Sequence, residues 1–226
     1  LVHAGFDHIP DHRPAQADIA LTDALMSAFA MFSLKSPSLL AFDKERVEGN
    51  LATLYGIARV PCDTHMRAIL DPIAPEALRP IFKSVLSQLQ RGHALAPMRF
   101  LDDSYLLALD GTGYFSSQAI HCASCLHQVH RNGTITYAHQ MFGAALIHPD
   151  VRAVIPLMPE PIVQQDGTQK NDCERNAAKR LVAKVRHDYP HLKFIVTADS
   201  LSANAPHIET LHDHQLSSIL GGKAGD

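Results

Sequence analysis

Two apolar runs that each end on an aspartate constrain this chain more than any other feature: Leu106-Leu107-Ala108-Leu109-Asp110 and Phe194-Ile195-Val196-Thr197-Ala198-Asp199. Both have the length and aliphatic character of buried strands. A carboxylate that closes a buried strand needs an opposite charge, hydrogen bonds or a metal, because burial without a partner costs several kcal/mol. If the two strands lie side by side, one divalent cation can satisfy both acids, so Asp110 and Asp199 are expected to hold Mg2+ (or Mn2+).

The rest of the chain divides by period. Over 17–90 the apolar residues recur at helix spacing: Ile19, Leu21, Leu25, Met26, Phe29 and Phe32, then, past the break at Pro37, Leu39, Phe42, Val47, Leu51, Leu54 and Ile57. Residues 1–98 are therefore expected to form a helical N-terminal region. Within it, Ala52-x3-Gly56, Val60-Pro61 and Thr64–Leu70 trace the outline of a DNA-binding helix-turn-helix, against which stand polar Cys62 and His65 where that motif wants apolar packing. From Ser104 the period changes. Segments 104–110, 134–147 and 151–158 read as three successive strands, followed by a helix over 172–187, a strand at 192–198, a helix near 206–213 opened by Pro206, and a strand at 217–220. The expected fold is α/β: a mixed sheet in the order strand-strand-strand-helix-strand-helix-strand, in which a helical crossover returns the fourth strand parallel to the first and sets Asp199 beside Asp110.

Composition sets the setting for that fold. With 226 residues, 46% hydrophobic and 19% charged, the chain can bury a sizeable core. Its formal net charge of −3 gives no global basic excess, so any contact with nucleic acid has to come from local patches. The longest apolar stretch, 24–34, falls well short of the roughly 20 residues that span a bilayer. Four cysteines, unevenly spaced and without a secretory leader, fit a reducing cytoplasm, and no membrane partner is expected. The chain opens on Leu1 and stops at Asp226 directly after a strand, which reads as a fragment.

The element order, with an aspartate on the first and fourth strands, resembles the ribonuclease-H-like fold. The residues around the acids resemble those of a bacterial insertion-sequence DDE transposase: Leu109-Asp110-Gly111-Thr112, Lys170-Asn171-Asp172-Cys173-Glu174 and Ala198-Asp199-Ser200-Leu201, with Thr22–Met26 and Val60–Thr64 adding to the match. The resemblance implies Mg2+-dependent cleavage and strand transfer at the ends of a DNA element. It further implies double-stranded DNA as partner, a homo-oligomer when intact, a nucleoid-associated bacterial protein, and a third acid on a helix beyond Asp226. On this reading 99–226 is a partial catalytic domain lacking its C-terminal end, and the fragment is expected to be inactive alone.

Glu174 has two readings: a supplementary carboxylate facing the metal, or the third helical position of a capping box whose N-cap is Asn171. Asp172 shares that ambiguity. Cys122-x2-Cys125, with His127 and His130 following and His121 and His139 nearby, supplies the ligand types for Zn2+. Lys170, Arg175, Lys179 and Arg180 belong to the one dense cationic run, either a solvated helix face or a DNA-backbone contact. Two other functions compete. Asp110-Gly111-Thr112-Gly113 after an apolar strand also resembles the aspartyl loop of haloacid-dehalogenase-like phosphotransferases, and a remnant that binds DNA or is inert would need no catalysis at all.

Overall fold

A computed structural model describes residues 1–45, 50–163 and 173–222. The chain divides into two compact units, Leu1–Gln88 and Leu89–Asp226, so the division falls in the last turn of a helix and not at the expected 98/99. Residues 89–98 go with the sheet because Leu95 and Met98 are buried and the short turn at Ala96–Met98 touches a central strand.

The first unit is helical: α1 (Val2–Phe6), α2 (Leu21–Ser33), α3 (Leu39–Glu45), α4 (Asn50–Tyr55), α5 (Asp63–Leu70) and α6 (Arg79–Arg91). Its core gathers Leu21, Ala24, Leu25, Met26, Phe42, Leu51, Ile57, Met66 and Ile69. The expected stripe is shifted at its ends, since Phe32 and Leu54 are exposed and Phe29 is largely so, its ring edge-on to Tyr55 at 6.3 Å; Val47 lies outside the described residues. Asp23 supplies a polar tie. Its buried carboxylate accepts from the backbone N–H groups of Ala58 and Arg59, both at 3.0 Å, which fastens the turn after α4 to α2. Gly56, at φ +66, makes that turn. The connection from α4 to α5 spans 56–62, longer than the roughly three or four residues of a helix-turn-helix turn, and His65 is exposed.

The second unit is a mixed α/β structure. Its sheet contains β1 (Tyr105–Ser117), β2 (Leu126–Val129), β3 (Ile135–His148), β4 (Val151–Pro156), β5 (Glu160–Ile162), β6 (Phe194–Ala198) and β7 (Ser217–Leu220), with α7 (Glu174–Asp188) and α8 (Ala205–Asp213) in the later connections. The path is β2-β3-β1-β6-β7, with β4 and β5 also paired to β3. β1 is antiparallel to β3 and parallel to β6, and β6 is parallel to β7. The sequence reading misses β2 and β5. The first is a short polar stretch inside the Cys/His region, and the second carries Pro161, which demotes a run to an edge. β1 also continues seven residues past Asp110, because its exposed half is held by the β3 ladder and not by burial.

α7 packs on β3 and β5 through Ala177, Ala178, Leu181, Val182 and Val185. A buried acid fixes it there. Glu160 of β5 accepts from Arg180 Nε at 2.6 Å and from Lys184 Nζ at 2.7 Å, one on each carboxylate oxygen, and Arg180 also donates to the Pro161 carbonyl. Arg186 anchors the other end of α7 by donating to the carbonyls of Leu192, His214 and Gln215. Among the described residues no helix is long and apolar enough to cross a membrane.

Glu160→Gln should leave two partly buried cations facing a neutral amide. The expected loss, discounted because both cations keep some contact with solvent, is about 1–3 kcal/mol. Urea unfolding of the two proteins measures it, and equal midpoints would show that the carboxylate contributes nothing.

Candidate functional site

The pairing of β1 with β6 runs Tyr105↔Phe194, Leu106↔Ile195, Leu107↔Val196 and Ala108↔Thr197. Asp110, within β1, and Asp199, just past the end of β6, each lie two residues beyond the last pair. The burial from which the sequence argument began is absent: both aspartates are exposed, because the apolar part of β1 closes at Leu109 and the carboxyl end of the sheet opens to solvent. Neither acid therefore needs a metal to offset desolvation. Asp110 Oδ1 accepts from the N–H of Gly111 at 2.8 Å, and the Asp199 carbonyl accepts from Ser202 N–H at 3.1 Å in the 3-10 turn that follows β6. The chain leaving β7 passes close by, for Gly221 donates to the Ala198 carbonyl and a Cβ on it would come within 3.2 Å of Ser200 N.

Glu174 is the first residue of α7, with Cys173 at the N-cap and no side-chain cap bond, so it does not occupy the third position of a capping box. Asn171, Asp172 and Lys170 lie outside the described residues. The Glu174 carboxylate covers Gly111, where any Cβ would land on its Oε1. Successive residues of a strand face opposite sides of the sheet, so Glu174 sits on the face opposite the one Asp110 takes. Among the described residues these three carboxylates do not converge to within 4.8 Å of one another.

Of the cations, Arg175 and Lys179 are exposed and line a cleft of about 820 Å3 with Glu174, Gln140, Phe142, Asn204 and His207. Arg180 is half-buried and turns instead to Glu160. His207, capped at its N–H by Asn204 Oδ1, is buried beside that cleft. Its Nε2 has no hydrogen-bond partner among the described residues, and burial pushes its pKa below the ordinary imidazole value. No signal in the sequence marks His207, since a histidine in the first turn of a short helix has no period of its own.

A second grouping joins Cys122, Cys125 and His139. Cys122 Sγ is 3.8 Å from Cys125 Sγ, and each sulfur is 3.4 Å from His139 Nε2. This corrects the expected set of His127 and His130. The β2–β3 hairpin pairs Leu126 with Ala138 and His127 with Tyr137, so the next pair outward is Cys125 with His139. His127 lies two residues nearer the turn, ~7 Å along the strand, with its ring edge-on to Tyr137. His130 Nε2 is bonded to Thr136 Oγ1 at 2.7 Å. His121 stacks on Tyr137 at 4.3 Å. Burial pushes the Cys125 thiol up from its ordinary value.

No family model and no curated protein matches this chain. Among solved structures, it is similar to a piggyBac transposase in a cryo-EM synaptic complex with hairpin DNA, with a TM-score of 0.39 and 12% identity. The match covers 100% of this chain and 48% of that one, so the chain spans about half the length of that transposase.

The buried imidazole of His207 gives a pH dependence with a definite sign. Its folded pKa lies below the unfolded value of about 6.5, so the unfolded state takes up the proton first. The stability this group contributes is fully present above about pH 6.5 and is lost as pH falls through the depressed folded pKa. Thermal melts from pH 7.5 to 5 should fall less steeply in His207→Leu than in the wild type, and parallel curves would exclude the effect.

Proposed function

We propose that this chain carries the strand core of a DDE-type DNA transposase of the bacterial insertion-sequence kind, with a ribonuclease-H-like sheet acting on double-stranded DNA. The observation that carries the reading is the equal offset of Asp110 and Asp199 beyond the paired residues of β1 and β6. Support also comes from the sheet itself: a long antiparallel β1–β3 ladder, then two parallel additions, each reached through a helix. The haloacid-dehalogenase-like alternative expects a helix after the first strand, whereas β1 is followed by β2 and β3 with none between.

The two acids fit a hard divalent cation. They are exposed, anionic oxygen donors at one end of the sheet, with the N–H of Gly111 holding one Asp110 oxygen and leaving the other for a ligand. A bound Mg2+ would supply Lewis-acid stabilisation of charge on a transferring phosphoryl group. The protein's own part is to hold that ion between two strands whose spacing the backbone ladder sets, and to meet the DNA backbone with cations. Arg175 and Lys179 are placed for phosphate contact at the α7 end of the cleft, while Arg180 serves the fold. Glu174 stands apart from the pair. With two acids alone the ion would be held weakly, and phosphate oxygens of the DNA would add to its shell. On so weak a site the chain is expected to bind DNA more readily than it cuts it.

Mn2+ titration followed by electron paramagnetic resonance tests the acid pair. Asp110→Asn and Asp199→Asn should each weaken binding at least about tenfold, which is ~1.4 kcal/mol, while both variants keep the wild-type melt. Undiminished Mn2+ binding in both would remove the basis of the assignment.

The cation placement predicts a separate result on a DNA duplex. Losing one phosphate contact in Arg175→Ala or Lys179→Ala should reduce the slope of log affinity against log salt by about 0.9. A slope that is unchanged in both variants would place the DNA path elsewhere.

A further inference from the structure

Three ligand atoms from two elements already stand at the corners of a tetrahedral metal site. With Zn–S near 2.3 Å and Zn–N near 2.0–2.1 Å, a regular tetrahedron places two sulfurs about 3.8 Å apart and each sulfur about 3.5 Å from the nitrogen. The distances among Cys122 Sγ, Cys125 Sγ and His139 Nε2 are 3.8, 3.4 and 3.4 Å. Thiolate and imidazole are the donors that select zinc over the hard cations an aspartate pair would hold. The trio is also a separate place on the molecule. Asp110 pairs with Gly143, four residues along β3 from His139, or ~13 Å at strand rise.

The surroundings prepare each ligand. The Cys122-Ala123-Ser124-Cys125 segment closes on itself, with Cys125 N–H donating to the Cys122 carbonyl at 3.2 Å and Cys122 N–H directed at Cys125 Sγ at 3.3 Å. An amide aimed at sulfur favours the thiolate. His139 is held from the other strand: the β1–β3 register slips between Gly113 and Phe115, and at this bulge Tyr114 stacks on the imidazole at 5.8 Å and 14° while Phe115 packs against it at 5.6 Å. A bulge re-aims side chains without breaking a ladder. Here it brings two rings to one histidine.

We propose that Cys122, Cys125 and His139 bind one Zn2+, which fastens the 118–125 connection between β1 and β2 to the central strand β3. Two thiolates balance the charge of the ion, and their two protons leave on binding. Cys125 is fully buried and Cys122 is exposed, so the ion has one face toward the protein and one toward solvent, where water completes the tetrahedron. Among the described residues no fourth His, Cys or carboxylate joins the group within 4.8 Å.

The test uses the 226-residue chain under reducing conditions. Native mass spectrometry should find one Zn2+ per chain, and Co2+ should give thiolate charge-transfer absorption with the intense visible bands of a tetrahedral ion, removed by Zn2+. Cys122→Ser, Cys125→Ser and His139→Ala should each weaken binding by more than the roughly 10–100-fold that losing a residue behind a ligand costs. His127→Ala and His130→Ala should bind as the wild type does. Hydrogen exchange across 118–125 should slow with Zn2+ and recover on chelation. Three results would overturn the site: wild-type protein without stoichiometric Zn2+ or a tetrahedral Co2+ spectrum, retention in His139→Ala with loss in His127→Ala, or exchange across 118–125 that ignores the metal. The wild-type spectrum decides the matter even if a variant fails to fold.

Discussion

Everything in the sheet unit depends on β1 being paired on both edges. It meets β3 in an antiparallel ladder along most of its length and β6 in a parallel one over its apolar half. The ladder makes the buried part of the strand, Tyr105 to Leu109, affordable to dehydrate, because each backbone donor and acceptor finds a partner as the side chains leave water. The same pairing sets Ala108 beside Thr197, two residues short of Asp110 and Asp199.

The helices hold that sheet by polar as much as by apolar contacts. Burying Glu160 alone would be prohibitive, and two cations from successive turns of α7 make it tolerable. The same residues, read from the sequence, look like a basic face for DNA. A helix carrying Lys179, Arg180, Lys184 and Arg186 can serve phosphate or structure, and the choice rests on whether an acid is waiting on the neighbouring strand. Here one is, so Arg180 and Lys184 turn inward and Arg186 caps carbonyls beyond α8. Arg175 and Lys179 are left at the open cleft.

From the sequence, the ends of the two apolar runs were expected to be buried, and burial to demand a metal. The runs are largely buried and their last residues are exposed: burial along β1 stops at Leu109 although the strand continues to Ser117, and β6 ends at Ala198, one residue before Asp199. What Asp110 and Asp199 have in common is an equal offset from the last pair of the β1–β6 ladder, a property that neither segment possesses by itself. Glu174 shows the same limit from the other side: its place over Gly111 follows from where α7 docks, and the local Asn-Asp-Cys-Glu pattern suggested an N-cap at Asn171, ahead of the observed one at Cys173.

Period alone determined that a helical stretch precedes a strand-rich one and that a helix separates the third long strand from the next, because burying one face of an element leaves a repeat of 3.6 or 2 in the chain. The approach of Cys125 to His139 was legible too. Asn132-Gly133 is a hairpin turn, and counting outward from it through Val129 and Ile135 sets Cys125 opposite His139. His127 and His130 follow the cysteines closely in sequence, yet a residue directly across a hairpin lies closer than residues two or five positions along it. Only tertiary structure decided that Tyr114 and Phe115 would bulge onto His139, that Glu160 would claim Arg180, and that Asp110 and Asp199 would follow the β1–β6 ladder at one offset. Each depends on segments far apart in the chain meeting at one place, and no local pattern records that meeting.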